Sequence, residues 1–73
     1  MNFPSREIVN NLRKEFPVGA RVELLKMIDV QAPPMGTLGF VTGIDDLGTV
    51  HVLWDNGSSL GVAYGEDKCR VIK

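Results

Sequence analysis

Cysteine and histidine each occur once in this 73-residue chain, as Cys69 and His51. One thiol cannot close an internal disulfide, and a structural zinc site asks for about four ligands where two are on offer. No metal and no cofactor is therefore expected. Long apolar runs are also missing, and the first residues lack the basic-then-apolar pattern of a secretory leader, so the sequence predicts neither a membrane span nor export, and a cytoplasmic location. Between Met27 and Asp67 there is no Lys or Arg at all, against six acids (Asp29, Asp45, Asp46, Asp55, Glu66, Asp67). A phosphate backbone has little reason to lie along that stretch.

What remains has globular composition: 44% hydrophobic and 23% charged residues, well away from the composition of disordered chains. The length suits one domain. A net charge of −1 conceals an uneven layout: residues 1–26 carry +2, residues 27–67 carry −6, and the last six residues return +3 through Lys68, Arg70 and Lys73.

Ser5 to Phe16 reads as a helix. Ser5 follows Pro4 as an N-cap, Glu7 lies in the first turn where the helix dipole favours an acid, and Ile8, Val9, Leu12 and Phe16 form one apolar stripe. Pro17 stops the helix and Gly19 turns the chain. From Ala20 the hydrophobic period changes to two, with Val22 and Leu24 opposite Arg21 and Glu23, which predicts a first strand. A proline-rich loop, Asp29 to Gly36, precedes a second strand over Thr37 to Ile44, where Gly39 and Gly43 suit a sharp bend or a close backbone approach. Asp45-Asp46-Leu47-Gly48 reads as a hairpin connection, Thr49 to Trp54 as the third strand, and Asn56-Gly57 as a strong two-residue hairpin signal. A fourth strand over Ser58 to Ala63, a tight turn over Tyr64 to Asp67 and a closing strand over Cys69 to Ile72 complete the order.

Five short strands in this order predict a mainly β fold: a small five-stranded SH3-like barrel (residues 19–73) behind an N-terminal α-helix (residues 1–18), one domain overall, α+β in loose terms. An open sheet is the main alternative. Closure is preferred because it removes exposed edges and accounts for the glycine kinks.

The run Phe16-Pro17-Val18-Gly19-Ala20-Arg21-Val22-Glu23-Leu24, with Gln31-Ala32-Pro33-Pro34, Gly36-Thr37-Leu38-Gly39 and Trp54-Asp55-Asn56-Gly57-Ser58-Ser59-Leu60, resembles a small family catalogued as domain of unknown function 4314, found mainly in Gram-positive bacteria and their mobile elements. That resemblance spans nearly the whole chain and implies no catalytic or binding residues. Gly39-Phe40-Val41 and Trp54-Asp55-Asn56-Gly57 are similar to blocks of the SH3-like repeats of Mind bomb and HERC ubiquitin ligases. This fainter likeness implies a barrel fold and, by analogy, the binding of peptide segments.

Candidate chemistry is sparse. Asp45 and Asp46 could suggest acid–base work or a divalent cation, but neighbours on a tight turn point apart and Asp is a favoured turn residue. His51 alternates out of phase with Val50 and Val52, which predicts a solvent-facing histidine with no acid in place to orient it. Cys69 reads as a small buried hydrophobe; a Cys69–His51 catalytic pair is an outside alternative. Gly36, Gly39 and Gly43 match no phosphate-binding loop. Trp54 shares the phase of Val50 and Val52, which favours the core over a ligand platform, whereas Tyr64 is poised between the two.

No catalytic residue is assigned, and the expected role is a non-enzymatic protein-interaction module binding a peptide segment or larger partner, such as an accessory subunit encoded on a mobile element. Its candidate partner-binding residues are Gln31, Pro33, Pro34, Met35, Asp45, Asp46, Trp54 and Tyr64. The rival is a nucleic-acid-binding SH3-like barrel using Arg13, Lys14, Lys68, Arg70 and Lys73 as one basic patch. Membrane partners are not expected, and the chain is taken as a monomer or weak homodimer.

Overall fold

The computed structural model describes residues 4–72. Helix α1 spans Arg6–Glu15, and the Ser5 side chain accepts a hydrogen bond from the Ile8 amide at 3.2 Å, satisfying one of the orphan donors of the first turn. Val9 and Phe16 are buried while Ile8 and Leu12 are half-buried, so one stripe of the helix meets the core and the rest faces solvent. At the far end the Phe16 amide closes on the Leu12 carbonyl, and Gly19, at φ +90°, turns the chain toward the sheet.

Among the described residues the strands are β1 (Arg21–Lys26), β2 (Leu38–Ile44), β3 (Thr49–Trp54), β4 (Val62–Ala63) and β5 (Lys68–Val71), all antiparallel to their neighbours in the order β4-β3-β2-β1-β5. The inward residues form one core, in which Trp54, Leu24, Val22, Val41 and Val52 are fully buried and Phe16, Met27, Val50 and Val62 pack around them. Two glycines shape β2. A Cβ on Gly39 would come within 2.7 Å of the Leu53 carbonyl oxygen and 2.9 Å of the Trp54 ring, so β2 and β3 approach as closely as they do only because that position has no side chain. Gly43 sits where the β2–β3 register shifts, a bulge that bends the strand.

The expected SH3-like barrel is not formed: the sheet is open. β4 pairs only with β3, β5 pairs only with β1, and the two are the edges of the sheet. Side chains account for the missing strand length. The Ser58 amide is taken by Asn56 Oδ1 at 3.0 Å, the Leu60 amide by Ser58 Oγ at 3.4 Å, and the Leu60 carbonyl by the Trp54 indole N–H at 2.9 Å. The Ser58 carbonyl still accepts from the Trp54 amide at 2.8 Å, but with the Ser58 and Leu60 amides and the Leu60 carbonyl taken by side chains the ladder is interrupted, and β4 shrinks from the six residues expected to two. Its outer edge is blocked as well: the Ala63 amide donates to Asp67 Oδ2 at 3.0 Å, and the Ala63 carbonyl accepts from the Glu66 and Asp67 amides. β4 and β5 lie close to each other but share no ladder, so the helix packs on an open sheet rather than capping a barrel mouth.

Candidate functional site

Beside the unpaired edges of β4 and β5 lies a cleft of about 370 Å³. Leu12 and Glu15 of α1 and its C-cap Phe16 form its roof, Val50 and Val62 one wall, and Leu25, Lys68 and Cys69 the other, with Tyr64 at the mouth. The volume falls in the range of ligand-sized sites, and its interior is mainly apolar. Gly48, at φ +81°, fixes one side: a Cβ there would lie 2.8 Å from Pro4 and 3.2 Å from Tyr64 Cβ, so the hairpin tip, the start of the helix and Tyr64 are packed against one another. Tyr64 remains 51% exposed, which leaves its ring available at the rim.

Cys69 is the one sulfur nucleophile type in the chain and lines this cleft. Burial, and then the Glu15 carboxylate, push its thiol up to about 11. A thiolate is the reactive form, so the shift runs against nucleophilic use and makes Cys69 an apolar wall element. His51 does not line the cleft. It stands on the exposed face of β3, and contrary to the sequence-based expectation it has an acidic neighbour: its Nε2 lies 3.0 Å from Asp45 Oδ2. The acid six residues earlier is brought across by the β2–β3 turn, a cross-hairpin proximity that alternation alone does not reveal.

Asp45 organises that turn. Its Oδ1 accepts from the Leu47 and Thr49 amides at 2.9 and 3.0 Å, and the Thr49 bond, reinforced by His51, holds its carboxyl below the ordinary 3.8. Asp46 points the other way and pairs with Arg13 at 3.0 Å, while the same guanidinium bonds the Ile44 carbonyl at 3.2 Å, tying helix to hairpin.

The remaining candidates are scattered. Gln31, Pro33, Pro34 and Met35 lie in the β1–β2 loop, ordered by Asp29 Oδ1 on the Gln31 amide and by Thr37 on the Pro34 carbonyl. Pro33 is fully buried, whereas Gln31, Pro34 and Met35 are exposed. That loop and Asp45–Asp46 stand at opposite ends of β2, roughly 20 Å apart along a seven-residue strand. Tyr64 joins the hairpin tip but not the loop, and Trp54 is 1% exposed within the core. Of the basic residues, Arg13 and Arg70 are engaged by Asp46 and Glu23, and Lys73 lies outside the described residues. No helix among the described residues is long and apolar enough to cross a membrane.

The family model described as "Domain of unknown function (DUF4314)" matches residues 5–72. The chain belongs to this family. The match begins at the Ser5 cap and ends beyond β5, so helix, open sheet and cleft all lie inside the family unit. No curated protein matches the chain, and no solved structure does. The likeness to Mind bomb and HERC repeats therefore has no support, and with the open sheet the expected SH3-like module and the nucleic-acid-binding SH3-like barrel both fall.

Proposed function

We propose that this DUF4314 domain is a non-catalytic binding domain whose working site is the apolar cleft at the open edge of its sheet, where it receives apolar side chains of another protein. One observation carries this reading: core residues Phe16, Val50 and Val62 line a cleft of about 370 Å³ that the fold itself leaves unfilled, between two sheet edges. Burying apolar surface there stabilises a complex by roughly 25 cal/mol per Å² removed from water before the costs of association. The high thiol pKa of Cys69 and the engagement of His51 with Asp45 leave both groups poorly suited to chemistry.

Indole and isobutanol, which stand for aromatic and aliphatic side chains, test the cleft directly in ¹⁵N–¹H spectra. Saturable shifts centred on Leu12, Val62 and Cys69 are expected, together with their loss in Cys69→Phe, which fills the cavity. Shifts centred on the Gln31–Met35 loop, or no saturable shifts, contradict the proposal.

A further inference from the structure

We infer that the occupant of this edge is an extended segment of another protein that pairs with β5 as a sixth strand, placing acidic side chains on the outer face and small apolar ones in the cleft. This rests on the binding role proposed for the cleft and names the partner's chemistry.

The frame of β5 settles which backbone groups are on offer. The Ile72 amide donates to the Arg21 carbonyl at 2.9 Å, and the β1–β5 register pairs Arg70 with Glu23 and Val71 with Val22. In an antiparallel ladder, alternate residues direct their N–H and C=O to opposite sides. Arg70 and Ile72 therefore bond toward β1, while Cys69 and Val71 direct theirs into the open edge, presenting two donors and two acceptors in line. The opposite edge is not comparable, because Ala63 of β4 is already satisfied by its own turn. An incoming strand is thus directed to β5 rather than β4.

Side chains then select the sequence of that strand. Cys69 lines the cleft and Val71 packs against the core beyond it, so a partner residue opposite Cys69 enters the cleft, where an acid would meet Glu15, and one opposite Val71 lies on the same apolar side. Lys68, which borders the cleft, and Arg70 are both exposed, and Lys68 is paired in register with Lys26, so partner residues opposite them meet cations. Glu23 answers Arg70 through a 2.6 Å contact but leaves the Lys26–Lys68 pair for an acid on the partner. A second copy fits badly. Two β5 strands side by side bring Lys68 and Arg70 of one copy beside those of the other, the like-charge arrangement by which natural edge strands avoid self-pairing.

The test uses three capped hexapeptides, alternating Glu-Val, Lys-Val and Glu-Ser, titrated into the full chain while amide exchange is followed by NMR. The Glu-Val peptide should slow exchange at Cys69 and Val71 and bind roughly fivefold more tightly than the Lys-Val peptide. Lys68→Glu, a surface change, should invert that preference. Val71→Pro should abolish binding while leaving the β1–β5 ladder, because the amide it removes points into the open edge. Three results overturn the inference: no peptide protecting Cys69 and Val71, equal affinity for all three, or protection rising with protein concentration alone, which would identify a second copy. If indole still titrates the cleft when the peptides fail, the strand is lost and the apolar site stands; if both fail, the binding role itself is lost.

Discussion

Trp54 shows how one side chain decides more than its own burial. Its ring fills the core at 1% exposure, and its N–H holds the Leu60 carbonyl at 2.9 Å, pinning the segment that would otherwise extend β4. Trp54→Phe keeps most of the apolar contact but strands that carbonyl, and is expected to lower unfolding free energy by about 1–3 kcal/mol in urea melts. Gly39→Ala should be comparably damaging, since its Cβ would meet backbone at 2.7 Å and β2 must move away from β3; a cost of about 1–3 kcal/mol is expected. The alternation of Val50, Val52 and Trp54 made the core phase of Trp54 legible in the sequence. Its bond to Leu60 was not, because it depends on how the Asn56-Gly57 turn returns the chain.

Among the elements, the helix was the most legible and the fourth strand the least. Ser5, Glu7 and the stripe from Ile8 to Phe16 are local signals, and the helix they predict over 5–16 forms over Arg6–Glu15. Ser5→Ala should destabilise the fold by about 1 kcal/mol, read as a lower urea midpoint with an unchanged slope. The strand expected over 58–63 failed because Asn56 and Ser58 can bond the backbone without help from a neighbouring strand, a competition that residue propensity does not express.

The β2–β3 hairpin carries a pH dependence. Asp45 is held below its ordinary value by the Thr49 amide and then by His51, and Asp55 is lowered by Arg21. A depressed carboxyl contributes stability that is complete above the ordinary value of 3.8 and is lost as pH falls through the folded-state value. Thermal melts should therefore show an acid-side fall in Tm beginning near pH 4 and continuing below it, and Asp45→Asn should flatten it. An unchanged acid limb in that variant would place the effect elsewhere.

For the whole molecule, the open edge is the property on which function turns, and it was the one least accessible to sequence reasoning. Strand order and hairpins are fixed by local turns, but closure depends on whether two short edges can reach each other, and here Ala63 is consumed by its own turn before β5 begins. The candidate site suffered the same way. Tyr64 and the hairpin tip do come together, through Gly48, whereas the Gln31–Met35 loop lies at the other end of β2. The cleft residues Leu12, Val62 and Cys69 carry no sequence signature beyond ordinary hydrophobicity, so only the fold distinguishes them from core.

Amide hydrogen exchange of the free chain tests the open edge most directly. With β5 unpaired on its outer side, Arg70 and Ile72 should exchange slowly and Cys69 and Val71 rapidly, an alternation along four consecutive amides at any protein concentration. Equal protection of all four in dilute solution would mean that β5 already has a strand on both sides, and the sheet would be closed.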